Sequence, residues 1–427
     1  MIARLRSPQV RAIIDGLGSS VLIQACVLIS GIAAARLLGP GDRGNLALIW
    51  TVTLTLSQLG SLGLPLAVTK EAAQRDTDAR ALARELRRPV LVQIAVVSLV
   101  HAATVAALVS FTSLPPAAAW LSLVVLPPML AQMFGLAVLQ GLREFRTLNL
   151  LRTLPLALYA AALIALAVIG NPTLLAVTWA WIGSYAASAA VTIWVLVQCL
   201  QRAPAAATQN RRPDVASMRR FGLRGLLGWA SPTETFRVDQ LVVGLVLSSH
   251  SLGLYVAALA FTNFPRFVAQ AVGLVAYPSV SRATSPVEKR TATLGFLGLG
   301  SLFSFVVCGG LAILAHPLVT IAFGQEFEAA AGPLRVLLIA TFLLCVRRVL
   351  TDATRGAGFE SAGSRAEMLS WLVLVPGFLV FAGPFGLYGV AWVLVGSYAV
   401  SAAVLGYLTL RPGGWAIDGP AASTTVP

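Results

Sequence analysis

Three charged side chains, Glu234, Arg237 and Asp239, lie inside one long apolar stretch of the sequence, residues 224–248. If that stretch crosses a bilayer, each charge costs roughly 2.5 to 3.5 kcal/mol at the membrane centre, so these side chains do not face lipid. A guanidinium carries a permanent charge and a fork of donors suited to bidentate binding of phosphate. Arg237 is therefore a candidate anion-binding residue, with Glu234 and Asp239 as counter-charges or an ion-coupling pair.

Further polar residues lie in other apolar stretches. Arg266 follows Pro265 at the middle of 252–276, and Arg36 lies near the end of 17–38. Arg266 is a second candidate contact for an anion and Arg36 a weaker third, for which snorkelling to headgroups is the competing interpretation. The remaining polar candidates for a cavity are Gln240, Asn263 and Gln58.

Helical spacing relates the charges of 224–248 to one another. At 100° per residue, Arg237 and Gln240 share a stripe, Glu234 lies beside Arg237, and Asp239 lies well round the helix. Glu234 and Arg237 are then spaced for an i,i+3 pair. The alternative is a structural network that locks this helix to a neighbour, without a water-filled cavity.

The elements that must position these residues are membrane-spanning helices. The chain is 57% hydrophobic and 11% charged, and its apolar runs are long enough to cross a hydrocarbon core of about 30 Å. Hydropathy predicts about twelve spans in an all-α integral membrane protein. They are 17–38, 45–68, 90–111, 118–140, 154–170, 173–200, 224–248, 252–276, 292–315, 330–350, 368–382 and 385–409.

Basic residues fall mainly in every second gap between these spans. Arg347, Arg348, Arg355 and Arg365, for example, surround the gap after 330–350. Because basic loops stay cytoplasmic, both termini are predicted inside the cell, and the plasma membrane of a bacterium is the expected location. The net charge of +14 is spread over short loops beside anionic headgroups, which argues against nucleic acid as a partner.

The sequence also contains an internal repeat. The hairpin at 16–44 aligns with 225–253, and glycines open and close both. We therefore predict two six-helix lobes related by a parallel pseudo-two-fold repeat, an arrangement typical of transporters. The predicted bounds are 1–200 for the first lobe, 201–223 for a basic cytoplasmic linker, 224–411 for the second lobe, and 412–427 for a disordered cytoplasmic tail.

Residue patterns for enzyme chemistry are weak. The four cysteines are scattered singly in apolar spans, so no metal site, cofactor site or disulfide framework is predicted. A membrane glycosyltransferase or polymer ligase would need catalytic groups on a sizeable loop. The loops here are short, and no catalytic residue is predicted.

Four segments carry a family resemblance. They are ARLLGPGDRGNLAL at 35–48, the Arg237-x-Asp239 helix followed by LGLY at 252–255, HPLVTIAFGQEFEAAAGPLRVL at 316–337, and GPFGLYGVAWV at 383–393. Together they resemble the polysaccharide biosynthesis, or O-antigen-type lipid-linked oligosaccharide, flippases of the multidrug/oligosaccharidyl-lipid/polysaccharide exporter superfamily. The stretch GAGFESAGSR at 356–365 departs from the family's usual Gly-Arg pair.

The resemblance implies two six-helix lobes around a cationic cavity and alternating-access movement of an undecaprenyl-pyrophosphate-linked saccharide to the outer leaflet. It implies the lipid-linked saccharide and membrane lipids as partners, with a polysaccharide polymerase or glycosyltransferases as candidate protein partners. Two alternatives share the architecture: a cation-coupled drug or metabolite antiporter, and a flippase for a peptidoglycan precursor. The first would favour an acidic cavity, whereas Arg237 and Arg266 balance Glu234 and Asp239.

Overall fold

The protein is helical throughout most of the part that the computed structural model describes, residues 8–74, 78–170, 172–202, 214–229 and 231–410. Contacts between helices divide the chain into two compact units, one ending at Leu241 and the other beginning at Val242. This division falls inside the predicted seventh span. The predicted lobe and linker bounds stay a prediction, since most of the linker and the whole 412–427 tail lie outside the described residues.

Eight complete helices and the start of a ninth belong to the first unit. They are α1 (Pro8–Gly60), α2 (Leu64–Ala72), α3 (Ala79–Phe111), α4 (Pro116–Leu121), α5 (Leu126–Gly141), α6 (Phe145–Ile169), α7 (Leu174–Arg202), α8 (Val215–Trp229) and α9 (Val238–Val242). A π-helical turn, Val243–Leu247, continues α9 into the second unit. In the first unit α1 packs on α6, α5 and α6 pack on α7, and α2 lies between α5 and α8.

The second unit contains five further helices. They are α10 (Ser249–Arg282), α11 (Pro286–Ile313), α12 (Ala315–Phe323), α13 (Ala331–Gly356) and α14 (Glu360–Leu410), with a 3₁₀ segment, Gln325–Ala330, before α13. Helix α13 lies at the centre, because α10, α11 and α14 all pack against it. Its buried face includes Leu334, Leu337, Thr341 and Leu344.

The described residues hold nine apolar helices long enough to cross a membrane, so this is a multi-pass membrane protein. Two of them, Gly18–Gly60 with 43 residues and Ala362–Thr409 with 48, would be about twice as long as a bilayer core is thick. Each bends at a glycine with positive φ: Gly39 (66°), followed by Pro40, and Gly386 (56°). Each therefore supplies two crossings. Two extra crossings from these helices, and one more if α8 and α9 together form an interrupted span, bring the nine to a number consistent with the predicted twelve spans.

The end of the predicted second span differs from expectation. The helix stops at Gly60, not at residue 68, and the chain turns through Leu62 and Gly63, both with positive φ, before α2 begins. A Cβ on Gly63 would lie 2.0 Å from the carbonyl oxygen of Gly222 in α8. Only glycine permits this turn and this backbone contact together, so the two short helices α2 and α8 touch along their main chains.

Candidate functional site

The predicted seventh span is interrupted at its polar residues. Helix α8 ends at Trp229, and residues 231–237 form turns before α9 begins at Val238. The sequence Ser231-Pro232-Thr233-Glu234-Thr235 explains the break, because Pro232 lacks an amide and short hydroxyl side chains compete for backbone groups. The Thr235 Oγ1 accepts a bond from the Ser231 amide at 3.2 Å, and the amide of Phe236 donates to the Ser231 carbonyl.

Arg237 has a left-handed backbone conformation, with φ of 49°. A residue with a Cβ in this region is strained by roughly 1 to 3 kcal/mol and is retained where surrounding contacts fix it. Two hydroxyl groups of α1 supply such contacts. Thr55 Oγ1 donates to the carbonyl oxygen of Phe236 at 2.9 Å, and Thr51 Oγ1 donates to Gln240 Oε1 at 3.0 Å. Hydrogen bonds from α1 therefore fix the chain both before Arg237, at Phe236, and after it, at Gln240.

Arg43 faces the same region from the segment of α1 just after the bend. Its guanidinium lies within electrostatic range of Arg237 and of Tyr159 on α6. The neighbouring carboxylate of Asp42 accepts a hydrogen bond from Asn45 Nδ2 at 3.1 Å. Among the described residues Arg43 forms no ion pair, and the guanidinium of Arg237 lies within electrostatic range of it.

Aromatic side chains form one wall of this site. The rings of Trp50 and Trp181 stack with centroids 4.7 Å apart, and Tyr159 packs 5.4 Å from Trp50. Tyr185 lies edge-on to Trp181 at 6.4 Å and within electrostatic range of Arg237. Arg43, Arg237 and Tyr185 are half-buried, whereas Tyr159 and Trp181 are almost completely buried.

Two polar atoms of the aromatic wall have no hydrogen-bond partner in the described part of the chain. They are the hydroxyl of Tyr159 and Nε1 of Trp181, both buried. Buried donors of this kind normally have a hydrogen-bond partner, so an unsatisfied one indicates a functional role. Together with Arg43 and Arg237 they form a set of donors suited to an oxygen-rich anionic ligand.

The predicted site residues are divided between the two units. Arg237 and Gln240 belong to the site in the first unit, with Asp239 buried beside them on α9, and Glu234 exposed in the turn. Gln58 is half-buried on α1, and Arg36 is exposed one turn before the bend at Gly39. Arg266 and Asn263 are half-buried on α10, in the second unit. That Arg237 and Arg266 share one cavity stays a prediction.

One geometric expectation is wrong. The helical stripe through Arg237 and Gln240, and the i,i+3 spacing of Glu234 with Arg237, require a continuous helix. Residues 231–237 are not helical, so that spacing does not set the direction of either charge. Helix α10, in contrast, continues through Pro265 without interruption.

Sequence reasoning missed Arg43, Tyr159, Trp181 and Tyr185. Arg43 is the single basic residue between the predicted spans 17–38 and 45–68, and that isolated charge was a usable signal. The aromatic residues gave no such signal, because tyrosine and tryptophan in apolar helices are common both in cores and at membrane interfaces.

The second unit contains a different kind of arginine. Arg347 on α13 was assigned to the basic gap after the tenth span, but its side chain is buried and pairs with Glu367 on α14. It also donates to Ser370 Oγ at 3.4 Å, and its guanidinium lies over the ring of Tyr398, 5.6 Å from the centroid. Arg347 is thus an internal structural charge and does not face headgroups.

Arg266 is partly enclosed by the same unit. Its Nε atom is buried and makes no hydrogen bond within the described residues, and its charge lies within electrostatic range of Cys308 on α11. Among those residues, no group of His, Cys, Asp or Glu has the arrangement of a metal site.

Comparison with known proteins identifies the family. The model of the family described as "Polysaccharide biosynthesis protein" matches residues 33–332, which is most of the chain. The chain belongs to this family. No curated protein matches the sequence.

Solved structures show the fold. The inward closed conformation of the lipid II flippase MurJ superposes with a TM-score of 0.70 at 11% identity, over 93% of this chain and 88% of that one. An inward-facing multidrug resistance MATE family transporter of the MOP superfamily gives 0.71 at 18% identity, over 91% and 94%. The MATE transporter DinF-BH in complex with R6G gives 0.61 at 15% identity, over 95% of each chain. This family member therefore has the fold of MOP-superfamily transporters, as the resemblance in its sequence implied.

Proposed function

We propose that the chain is a flippase that moves an undecaprenyl-pyrophosphate-linked saccharide from the inner to the outer leaflet of a bacterial plasma membrane. Family membership and the MOP-superfamily fold support a transporter or flippase role. The observation that carries the choice of substrate is the aromatic-walled site in the first unit, where Arg43 has no ion pair among the described residues and lies within electrostatic range of Arg237.

The arginines suit the pyrophosphate. A guanidinium stays charged at any physiological pH and binds phosphate oxygens in a bidentate manner. Arg43 has no ion pair among the described residues, so binding an anion does not require an existing pair to be broken. The left-handed backbone of Arg237, fixed by Thr55 and Thr51, prearranges the second charge and reduces the ordering that binding requires.

The aromatic wall suits the saccharide. Trp50 and Tyr185 are half-buried and present apolar ring faces, while the buried Tyr159 hydroxyl and Trp181 Nε1 are donors that lack a partner among the described residues and could bond to sugar oxygens. The lipid tail stays in the hydrocarbon phase, so that only the polar headgroup enters the protein. Glu234 and Asp239 are retained as candidates for ion coupling, and Arg266 as a candidate substrate contact.

The test is transport of a fluorescent undecaprenyl-pyrophosphate oligosaccharide in proteoliposomes. We expect Arg43→Ala to reduce the transport rate by about one to two orders of magnitude, because each charged hydrogen bond lost weakens binding by about tenfold or more. Arg43→Lys should restore only part of the rate, since an ammonium cannot reproduce the fork. Arg146→Ala, which removes an exposed arginine of α6, is the matched control and should transport normally.

Transport by Arg43→Ala at the rate of the unmodified protein, with equal protein in the vesicles, would contradict the proposal. Loss of transport in step with loss of folded protein would instead assign Arg43 a structural role.

A cation-coupled drug antiporter is a second candidate, because the half-buried ring of Trp50 is also suited to flat organic molecules. Arg43 and Arg237 disfavour it, since they repel organic cations. Transport of rhodamine 6G in the same vesicles, competing with the lipid-linked saccharide, would favour the antiporter. Transport of lipid II in preference to a lipid-linked oligosaccharide would favour a peptidoglycan-precursor flippase.

The orientation follows from the charge pattern and is part of the proposal. With both termini inside the cell, a cysteine at Ser113 or Gln325 should react with a membrane-impermeant maleimide added outside. A tag after residue 427 should be accessible only after permeabilisation. Detection of the C-terminal tag and of the cysteines at Ser113 or Gln325 from the same side of the membrane would contradict this orientation.

A further inference from the structure

A cleft at one end of the first unit lies apart from the site around Arg43. It has a volume of about 530 Å³ and opens between the turn that joins α5 to α6 and the last turns of α7. Glu144 and Arg202 line it together with Trp194, Gln198 and Cys199. Neither the saccharide site nor the packing of the helices accounts for this combination of side chains.

The cleft contains one positive and one negative side chain, both exposed. Glu144 and Arg202 each lie within electrostatic range of the Cys199 thiol, so they face the same space. Within the described part of the chain they form no ion pair with each other or with any other residue. Both charges are therefore available to a ligand.

The backbone beneath the two charges is well fixed. Glu144 immediately precedes α6, its side chain makes no capping bond, and its amide donates to the Leu139 carbonyl at 3.1 Å. The end of α7 is held by Arg80 from α3, which donates to the carbonyl oxygens of Leu200 and Gln201 at 2.6 and 2.5 Å. These bonds satisfy two of the last four carbonyls of α7 and fix the backbone beside Arg202.

The chemistry of the cleft matches a phosphate ester that carries a primary amine. A guanidinium binds phosphate oxygens in a bidentate manner, and a carboxylate accepts hydrogen bonds from an ammonium group. Trp194 is 64% exposed and lies about two turns before the end of α7, and an exposed tryptophan near the end of a membrane helix is typical of the headgroup level of a bilayer. Gln198 adds a neutral donor to the lining of the cleft.

We propose that this cleft binds a phosphoethanolamine headgroup, that of an aminophospholipid of the surrounding membrane. The phosphate lies at Arg202 and Gln198, the ammonium at Glu144, and the glycerol portion against Trp194. A quaternary choline group fills the cleft less well, because it has no N–H to donate to Glu144. This binding is independent of the transport proposal, since it concerns different residues and a different ligand.

Cys199 provides a built-in reporter, because it lines the cleft and is half-buried, whereas Cys26, Cys308 and Cys345 are buried. The experiment uses the full chain with those three cysteines replaced by alanine, in nanodiscs of phosphatidylcholine, alone or mixed with phosphatidylethanolamine or phosphatidylglycerol. The rate of Cys199 reaction with a soluble maleimide is measured. We expect phosphatidylethanolamine to slow this reaction on the order of tenfold, as expected for the gain of one charge-assisted hydrogen bond.

Variants separate the two ends of the headgroup. Glu144→Gln should remove most of the protection given by phosphatidylethanolamine, and Arg202→Gln should remove it as well. The matched controls are Glu85→Gln and Arg146→Gln, exposed charges on α3 and α6 outside the cleft, which should leave it unchanged. Equal labelling in all three lipids, or full protection in Glu144→Gln, would overturn the proposal. Protection by soluble glycerophosphoethanolamine in phosphatidylcholine discs, equal to that by the lipid, would identify a free solute as the ligand and overturn the lipid assignment.

Discussion

Two arginines, Arg43 in the first unit and Arg347 in the second, differ in burial and in pairing. Arg347 is buried, paired with Glu367, bonded to Ser370 and covered by the ring of Tyr398. Arg43 is half-buried, has no ion pair among the described residues, and lies near a second arginine and an aromatic wall. The difference teaches that a charge in a membrane helix is not by itself a sign of a ligand. A charge fully neutralised by its own chain holds the fold together, and a charge left without a counter-ion is available for function.

The largest effect is expected when one member of the buried pair Arg347–Glu367 is removed. Arg347→Ala leaves Glu367 as an uncompensated charge, so we expect the free energy of unfolding to fall by roughly 3 to 5 kcal/mol. Unfolding in nanodiscs, followed by intrinsic fluorescence with increasing denaturant, measures the change. The double variant Arg347→Met with Glu367→Leu should regain most of the loss. If Arg347→Ala is as stable as the unmodified protein, the pair does not hold α13 to α14.

A smaller effect is expected where α1 holds the interrupted helix. Thr55→Val keeps the shape of the side chain but leaves the Phe236 carbonyl without its donor, which should destabilise the protein by about 1 to 3 kcal/mol. Transport should fall further than stability, because Arg237 loses the support of the adjoining residue. The control is Thr104→Val, because the Thr104 hydroxyl bonds, in the part of the chain that the structure describes, only to the Val100 carbonyl of its own helix. Equal transport and equal stability in both variants would show that the bond does not position Arg237.

The smallest change in stability is expected at Arg43. Arg43→Gln removes a charge that has no ion pair among the described residues and that repels Arg237, so the free energy of unfolding should change by at most about 1 kcal/mol in either direction. The same unfolding assay measures it beside Arg347→Ala. A loss as large as that of Arg347→Ala would place both arginines in the same structural class and remove the distinction drawn between them.

The sequence was sufficient to predict the helical membrane fold, because apolar length and the distribution of basic residues follow directly from the bilayer. It also located the polar part of the seventh span, where Arg237 and Gln240 lie at the site. It could not reveal the break at 231–237, since hydropathy does not distinguish a helix from a turn within an apolar stretch. Pro232 and its hydroxyl neighbours were the available local signal.

The sequence also could not show which groups pair with individual charged side chains. Arg347 was indistinguishable from the loop arginines near it, because its pairing depends on Glu367, Ser370 and Tyr398, which come close only when α14 packs on α13. Arg43 and the aromatic wall likewise meet through the packing of α1 on α6 and α7. Contacts between residues far apart in sequence leave no periodic pattern.

The main-chain contact between Gly63 and Gly222 bears on how the chain could be divided. Helix α8 follows the linker in sequence, yet it packs on α2, and Lys70 of α2 lies over the Phe221 ring of α8, 4.2 Å from its centroid. A break in the peptide chain within 203–213 would therefore separate two fragments that still recognise each other through α2 and α8. Co-expressed as separate polypeptides, they should assemble into an active split protein, which would allow each half to be labelled independently.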